Sequence, residues 1–404
     1  MNRYSNGFYT LMEEAGILSS KSFSLYVRDV VGFGNIQDLN LDGFSWDPIS
    51  SLTFDYEQLI ASNRLKVMAT YVDKDSEAIP LGTEGLEAVR GVIPRQKARF
   101  LWDEDDYRKY LDAVSKLDFQ NTTAKQYALD LLFNGLSDIK NAHELSMTYQ
   151  RDQMVSNRGL TLSADNNPRG ITGLTFTASV PAGNVTTLAD NYRWYTSATD
   201  KDSAHEGSSA DPVKDIRTIV RNMRRKGYTD IVLEVDEQSW YDDMDHSKWR
   251  TAIGYQLRPD LVLAASNDAN ALAVGRAAGD DAVRQAFSRI IGIPLSNIKF
   301  RQGLAAVEKL QGKGPDAKLT RTSFRTFNAN TYVFYPAGSL GTIKSVLPLV
   351  PDSSAMYATF FGGKGLIQYE YDAKAKVQDW WSELTALCVP NRPQEMFYLI
   401  TYSA

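Results

Sequence analysis

The spacing of apolar and polar positions changes several times along the chain, and each change marks an element. Residues 65–72 (LKVMATYV) and 92–102 (VIPRQKARFLW) have strand character. The polar, glycine-punctuated stretch 73–85 between them predicts an extended hairpin with a long loop. Residues 103–117 open on Asp103, Glu104, Asp105 and Asp106, acids that a helix dipole favours in its first turn. From 122 to 157, Ala128, Leu132, Leu136, Ile139, Ala142, Leu145 and Tyr149 recur at steps of three and four. That period predicts one helix of about 54 Å, kinked near Asn134 and Gly135, long enough to brace an elongated molecule. Short strands follow, then a polar insertion over 195–211 that reads as a mobile loop. DPVKDIRTIVRNMRRKG carries both end signals of a helix, with Asp211 as cap, Pro212 in the first turn and Gly227 as the stop.

Beyond that helix, YTDIVLEV reads as a buried strand and 238–255 as a short amphipathic helix. Residues 267–291 are Ala-rich and helical with a break at Gly279. SFRTFNANTYVFYPAG, GLIQYEYDAK and ALCVPNRPQEMFYLITYS supply later strands. The first fifty residues show little period but hold Phe23, Tyr26, Phe33, Phe44 and Trp46, the pattern of an extended arm. Such an arm either packs on its own domain or contacts something else, and the pattern leaves both open.

Composition narrows the classes. With 43% hydrophobic and 23% charged residues among 404, the chain folds into two or three domains and has no bilayer-spanning run. A single cysteine, Cys388, excludes a disulfide framework and lies in an apolar strand, where a thiol packs as a small hydrophobe. Glu13 and Glu14 interrupt the place where a signal peptide would be apolar, which predicts a protein that stays in the cytoplasm. A net charge of −5 argues against a surface that grips nucleic acid everywhere, while leaving room for a local basic patch.

Candidate chemistry is sparse. His143, His205 and His246 stand apart, and no HExxH, Cys/His cluster, P-loop, GxSxG or strand-linked GxGxxG occurs. No cofactor is expected. Asp242, Asp243 and Asp245 are the one acidic group on which a dispersed hydrolase site could be built, and a solvated helix lead-in explains them as well. Arg95, Lys97 and Arg99 alternate along the second hairpin run, so a strand turns all three to one face. They either meet acids on an adjacent subunit or form a solvated strand face.

The order of arm, hairpin, long helix and mixed domain resembles the major capsid protein of tailed bacteriophages, whose shell fold encapsulins and the herpesvirus capsid floor share. DPVKDIRTIVRNMRRKGYTDIVLEVDEQSW is similar to the family's peripheral helix leading into the axial domain, NTYVFYPAGSLGTIKSVLP to its late strand and Gly-rich turn, and RQKARFLWDEDDY to the return of the extended loop. The resemblance implies an α+β chain that is not an enzyme. Its parts would be an arm over 1–52, an extended hairpin loop over 53–102, a peripheral domain with spine helix over 103–226 plus a returning strand within 381–404, and an axial domain over 227–380. It implies pentamers and hexamers of this chain in an icosahedral head around double-stranded DNA, assembled in the bacterial cytoplasm with a separate scaffolding protein, a portal and decoration proteins, and without a membrane. An encapsulin-like compartment holding an enzyme is the alternative cargo. Arg95, Lys97 and Arg99 become inter-subunit contacts on this reading. Lys74, near the hairpin tip, becomes a candidate for the isopeptide cross-link some relatives form. The net charge of −5 fits a shell whose interior must not trap an incoming polyanion.

Overall fold

The computed structural model describes residues 39, 41–60, 87–102, 108, 122–197, 200–260, 268–311, 318–349, 356–372 and 377–402. The predicted strand over 65–72, the acidic helix start at 103–106 and Lys74 lie outside the described residues. In chain order the elements are β1 (Phe44–Trp46), β2 (Asp55–Ile60), β3 (Glu87–Val92), β4 (Arg95–Trp102), α1 (Thr122–Ser156), β5 (Gly159–Thr161), β6 (Thr175–Thr177), β7 (Val185–Thr187), α2 (Pro212–Arg225) and β8 (Ile231–Asp236). There follow α3 (Glu237–Met244), α4 (Ser247–Leu257), α5 (Asp268–Arg276), α6 (Asp280–Ile291), β9 (Ile298–Arg301), β10 (Leu304–Gln311), β11 (Lys318–Arg325) and β12 (Thr331–Pro336). The chain closes with β13 (Gly341–Ser345), β14 (Met356–Phe360), β15 (Gly365–Asp372), β16 (Val377–Pro390) and β17 (Phe397–Ile400). This is the expected α+β class, and β2 and β3 pair as a two-stranded ribbon.

Two compact units share the chain. The first comprises Met1–Glu57, Arg90–Thr148 and Thr342–Val389, the second Gln58–Val89, Tyr149–Gly341 and Pro390–Ala404. In the first unit a sheet runs β1-β13-β16-β15-β14, and β4 also pairs with β16. β16 is long enough to serve β15 and β4 through one half and β13 through the other. Here α1 buries Ile139, His143 and Met147, one side chain per turn. Phe44 is buried and Trp46 stacks 5.8 Å from Phe361, so this end of the arm packs on its own unit.

Of the predicted stripe on α1, Ile139 is buried as expected, the side chains of Ala128, Leu132 and Leu136 lie outside the described residues, and the later positions differ. Ala142 is exposed and Leu145 half-buried, while polar His143, Gln150, Arg151 and Asp152 are buried. The physical reason is that hydrogen bonding, invisible to an apolar periodicity, satisfies these groups inside.

The second unit is built on the sheet β7-β17-β12-β8-β9, in which β12 runs antiparallel to β8 and β17, and the outer strands β7 and β9 pair in parallel. β17 therefore sits beside β12 here, whereas β16 belongs to the first unit's sheet. α2 joins the same core, where Ile216, Val220 and Met223 pack with Trp240, Trp249, Ile253 and Phe287. Its ends are those the sequence announces: Asp211 accepts from the Lys214 amide at 3.1 Å, Pro212 opens the first turn, and Gly227 takes φ 89°. The single helix expected over 238–255 is two helices. α3 starts on the Asp236 cap, and the His246 ring accepts from the Lys248 amide at 3.1 Å to start α4. α4 and α5 approach so closely that a Cβ on Gly254 would meet the Ala271 carbonyl, and one on Gly275 the Arg250 carbonyl.

The insertion over 195–211, expected to be a mobile loop, is tied down in its described part. Tyr195 bridges to Glu206, whose carboxylate accepts from the Ser247 amide at 2.7 Å, and Lys201 pairs with buried Asp243 at 2.8 Å. A polar composition here reflects hydrogen bonding to the helix ends, not freedom.

Candidate functional site

Arg95, Lys97 and Arg99 stand on β4 with exposed side chains, and Gln96 and Ala98 between them are half-buried, as a strand's alternation requires. Antiparallel pairing sets β4 against β16, with Lys97 opposite Glu383 and Arg99 opposite Trp381. The carboxylates that the cations meet are therefore in the same chain. Arg95 lies 3.2 Å and Lys97 3.7 Å from Glu383, and Arg99 lies 2.6 Å from Asp379. Arg95 also covers Phe54, and Lys97 covers Trp381, at 4.9 and 5.3 Å. All three side chains stay 41–59% exposed, so one side of each cation remains open to a partner.

A second open surface of this unit is apolar. Ile49 is 79%, Leu52 83% and Leu349 89% exposed, with Phe54 and Leu347 partly so. Backbone bonds hold the two segments together, since the Ser51 amide donates to Ser345 O at 2.8 Å and the Leu347 amide to Ser51 O at 3.0 Å. These bonds hold the bends that carry Ile49 and Leu52 against the segment after β13, and the apolar side chains stay exposed there.

The acids of the hydrolase alternative do not converge. Asp243 is buried between Lys201 and the Tyr332 hydroxyl, which donates at 2.8 Å. Asp242 accepts from Gln238 at 3.1 Å, and Asp245 from Arg250 at 2.5 Å. Each carboxylate has its own neighbour. Among the described residues no group of three His, Cys, Asp or Glu side chains is placed to hold a metal. Cys388 is buried, and burial also lowers His143 to a pKa of about 4, leaving it a neutral partner of Ser382 Oγ at 2.7 Å.

The strongest electrostatic feature is one that the residue patterns do not suggest. Within the second unit, Arg151 on α1 sends two guanidinium N–H groups to Glu234 on β8, both at 2.6 Å. Arg301 on β9 adds bonds of 2.9 and 3.2 Å to the same carboxylate, and the Tyr335 hydroxyl donates to it as well. Asp152 accepts from Arg151 at 3.0 Å and from the Thr326 hydroxyl at 2.5 Å. Burial alone would push Glu234 up, but Arg151 and Arg301 more than reverse it and hold the carboxyl well below the usual range. Asp236, two residues on, caps α3 and pairs with Arg325. This network ties α1, β8 and β9 together inside the second unit. Glu234, a carboxylate set inside the apolar run IVLEV, is the one signal in the residues that could have pointed to it.

The family model for phage major capsid protein E matches residues 38–400, and the chain belongs to that family. It is a major capsid protein, a shell component of the phage virion. Similar solved structures include a phage-related protein of Bordetella bronchiseptica RB50, at 11% identity over 91% of this chain and 93% of that one, with a TM-score of 0.44. The capsid of Cyanophage P-SCSP1u is similar at 11% identity over 89% and 86%, with a TM-score of 0.41. The mature capsid of bacteriophage PhiM1 is similar at 12% identity over 89% and 85%, with a TM-score of 0.40. No curated protein sequence matches it.

Proposed function

We propose that this chain, as the repeating subunit of an icosahedral head, forms pentamers and hexamers that enclose double-stranded DNA and catalyses no reaction. Family membership over 38–400 carries the reading. The exposure of Ile49, Leu52, Leu347 and Leu349 supports it, because large apolar side chains left open beside one another in the chain are the kind that a contact between subunits covers. The outward sides of Arg95, Lys97 and Arg99 act as assembly contacts, each already oriented by its own carboxylate and so losing little side-chain freedom on docking. Lys74 is the proposed cross-linking lysine. The arm, hairpin, peripheral and axial divisions follow the boundaries 1–52, 53–102, 103–226 with 381–404, and 227–380. Assembly takes place in the host cytoplasm with a separate scaffolding protein, a portal and decoration proteins.

Electron microscopy of the purified chain, with its scaffolding partner present, tests the reading. Rings of five and six subunits or closed shells are expected. A strictly monomeric species in sedimentation at high concentration, under the same conditions, would overturn it.

A further inference from the structure

The outward face of α2 carries a row of cations. Lys214, Arg217, Arg221, Arg224 and Arg225 are all exposed and, at 3.6 residues per turn, fall within an arc of about 100°. Ile216, Ile219, Val220 and Met223 occupy the opposite, buried side. The row extends for about 16 Å along the helix axis. Asp215, the one carboxylate of the helix, accepts instead from the buried Trp194 indole at 3.0 Å. Among the described residues none of the five cations is in an ion pair.

Two of them are pinned by neutral acceptors. Arg217 Nε donates to Ile290 O at 2.8 Å and Arg224 Nη2 to Gly292 O at 2.5 Å, both at the end of α6, so the guanidiniums are positioned without their charge being neutralised. Beyond Arg225 the surface dips into a cleft of ≈ 260 Å³ lined by Asn184, Thr186, Asn222, Arg225, Lys226 and Phe397, among others, with no carboxylate in its wall. Lys226 is held there by Asn184 Oδ1 at 3.0 Å and lies 4.6 Å over the Phe397 ring. Helix-dipole compensation accounts for Arg224 and Arg225 in the last turn. It does not account for Lys214, Arg217 and Arg221.

We propose that this face of α2, with its terminal cleft, is where the subunit contacts the phosphates of the packaged double-stranded DNA; the proposal rests on the shell reading and adds the surface to it. Four of the five cations are arginines, whose planar forks match phosphate oxygens two at a time. The exposed side of α2, which beyond the cationic arc holds Thr218 and Asn222, has no exposed aliphatic or aromatic anchor, and a protein partner's interface is centred on such anchors. A polyanion needs none. Confining the contact to one short row in a chain of net charge −5 lets DNA touch the wall without being trapped by it.

The test uses the full-length soluble subunit and a short duplex of random sequence, with binding followed by fluorescence anisotropy across a salt series. The variant Lys214→Gln/Arg221→Gln/Arg225→Gln removes three cations that make no hydrogen bond or ion pair among the described residues. It is expected to bind at least tenfold more weakly at low salt and to flatten the slope of log K against log salt by about 2 to 3. Arg221→Lys/Arg225→Lys, which keeps the charge, should keep the slope. Unchanged affinity and slope in the Gln variant, or no binding by the wild-type subunit at low salt, would overturn the proposal. So would loss of polyglutamate binding with DNA binding retained, which would assign the face to an acidic protein. A wild-type chain that binds DNA but never assembles would strike the shell reading instead, so the two failures are distinguishable.

Discussion

Two arginine–carboxylate sites of this protein have the same bond length and opposite surroundings. Arg99 and Asp379 meet at 2.6 Å on the outer side of the first unit's sheet, and Arg151 and Glu234 meet at 2.6 Å inside the second unit with neither side chain accessible. In water the first pair gains little, because the solvent it displaces screens it as well. The second pair lost its hydration on folding and survives because Arg301, Tyr335 and Asp152 satisfy what the pair alone would leave unmet. Geometry alone does not rank them. Their environments make the buried site a fixed structural bolt and leave the cations of the other partly open to solvent.

The largest effect should come from breaking the buried site. Glu234→Gln leaves Arg151 and Arg301 charged in the interior with a neutral partner and is expected to cost about 3–5 kcal/mol. Urea unfolding followed by tryptophan fluorescence would measure it, since Trp240 and Trp249 are buried in that unit's core. A cost below about 1 kcal/mol would mean that water reaches the network and that it resembles the surface pairs after all.

A second way to sharpen the comparison is acid. His143 in the first unit titrates at about 4 against an ordinary 6.5, because burial disfavours its charged form. Between those values the unfolded chain takes up a proton that the folded one refuses, so stability falls as pH drops from 6.5 towards 4, by about 3 kcal/mol in full. Glu234 acts lower: its depressed carboxyl contributes stability above its ordinary value of 4.5, which is lost as pH falls below that value. Burial also lowers His246 in the second unit, so the difference between wild type and His143→Gln isolates the first site. The variant should show a flatter pH dependence of unfolding between 6.5 and 4. Parallel curves would place His143 in contact with solvent.

How far the residues alone foretell these sites follows from what each depends on. α2 is legible in full because its cap, proline and glycine are local. The bounds of α1 are legible, yet its buried face is not, since His143 and Arg151 are interior only by virtue of Ser382 and Glu234, far along the chain. The break between α3 and α4 escapes notice because a histidine ring, with no Gly or Pro, makes the cap. The alternation of Arg95, Lys97 and Arg99 is plain from period two, but no local pattern says that β4 will lie against Glu383 and Asp379. Local chemistry is written locally, and strand pairing over nearly three hundred residues is not.

The smallest expected effect on folding belongs to that strand face, and there the comparison turns from stability to assembly. Asp379→Asn and Glu383→Gln each remove a partner from half-exposed cations, and the loss in unfolding free energy should stay below about 1 kcal/mol. Reversal of Arg95, Lys97 and Arg99 to Glu repels both acids, so folding suffers more than in the single variants, but water on the open side still screens the charges. If that open side meets a neighbouring subunit, where water is displaced, the same reversal should abolish closed shells while circular dichroism keeps the wild-type helix and strand content. Restoring attraction within the chain separates the two roles. Adding Asp379→Lys and Glu383→Lys to the reversed face returns the intrachain pairs with opposite sign, so folding should recover while shells, seen by electron microscopy, remain open. Recovery of both together would confine these three cations to holding β4 on β16.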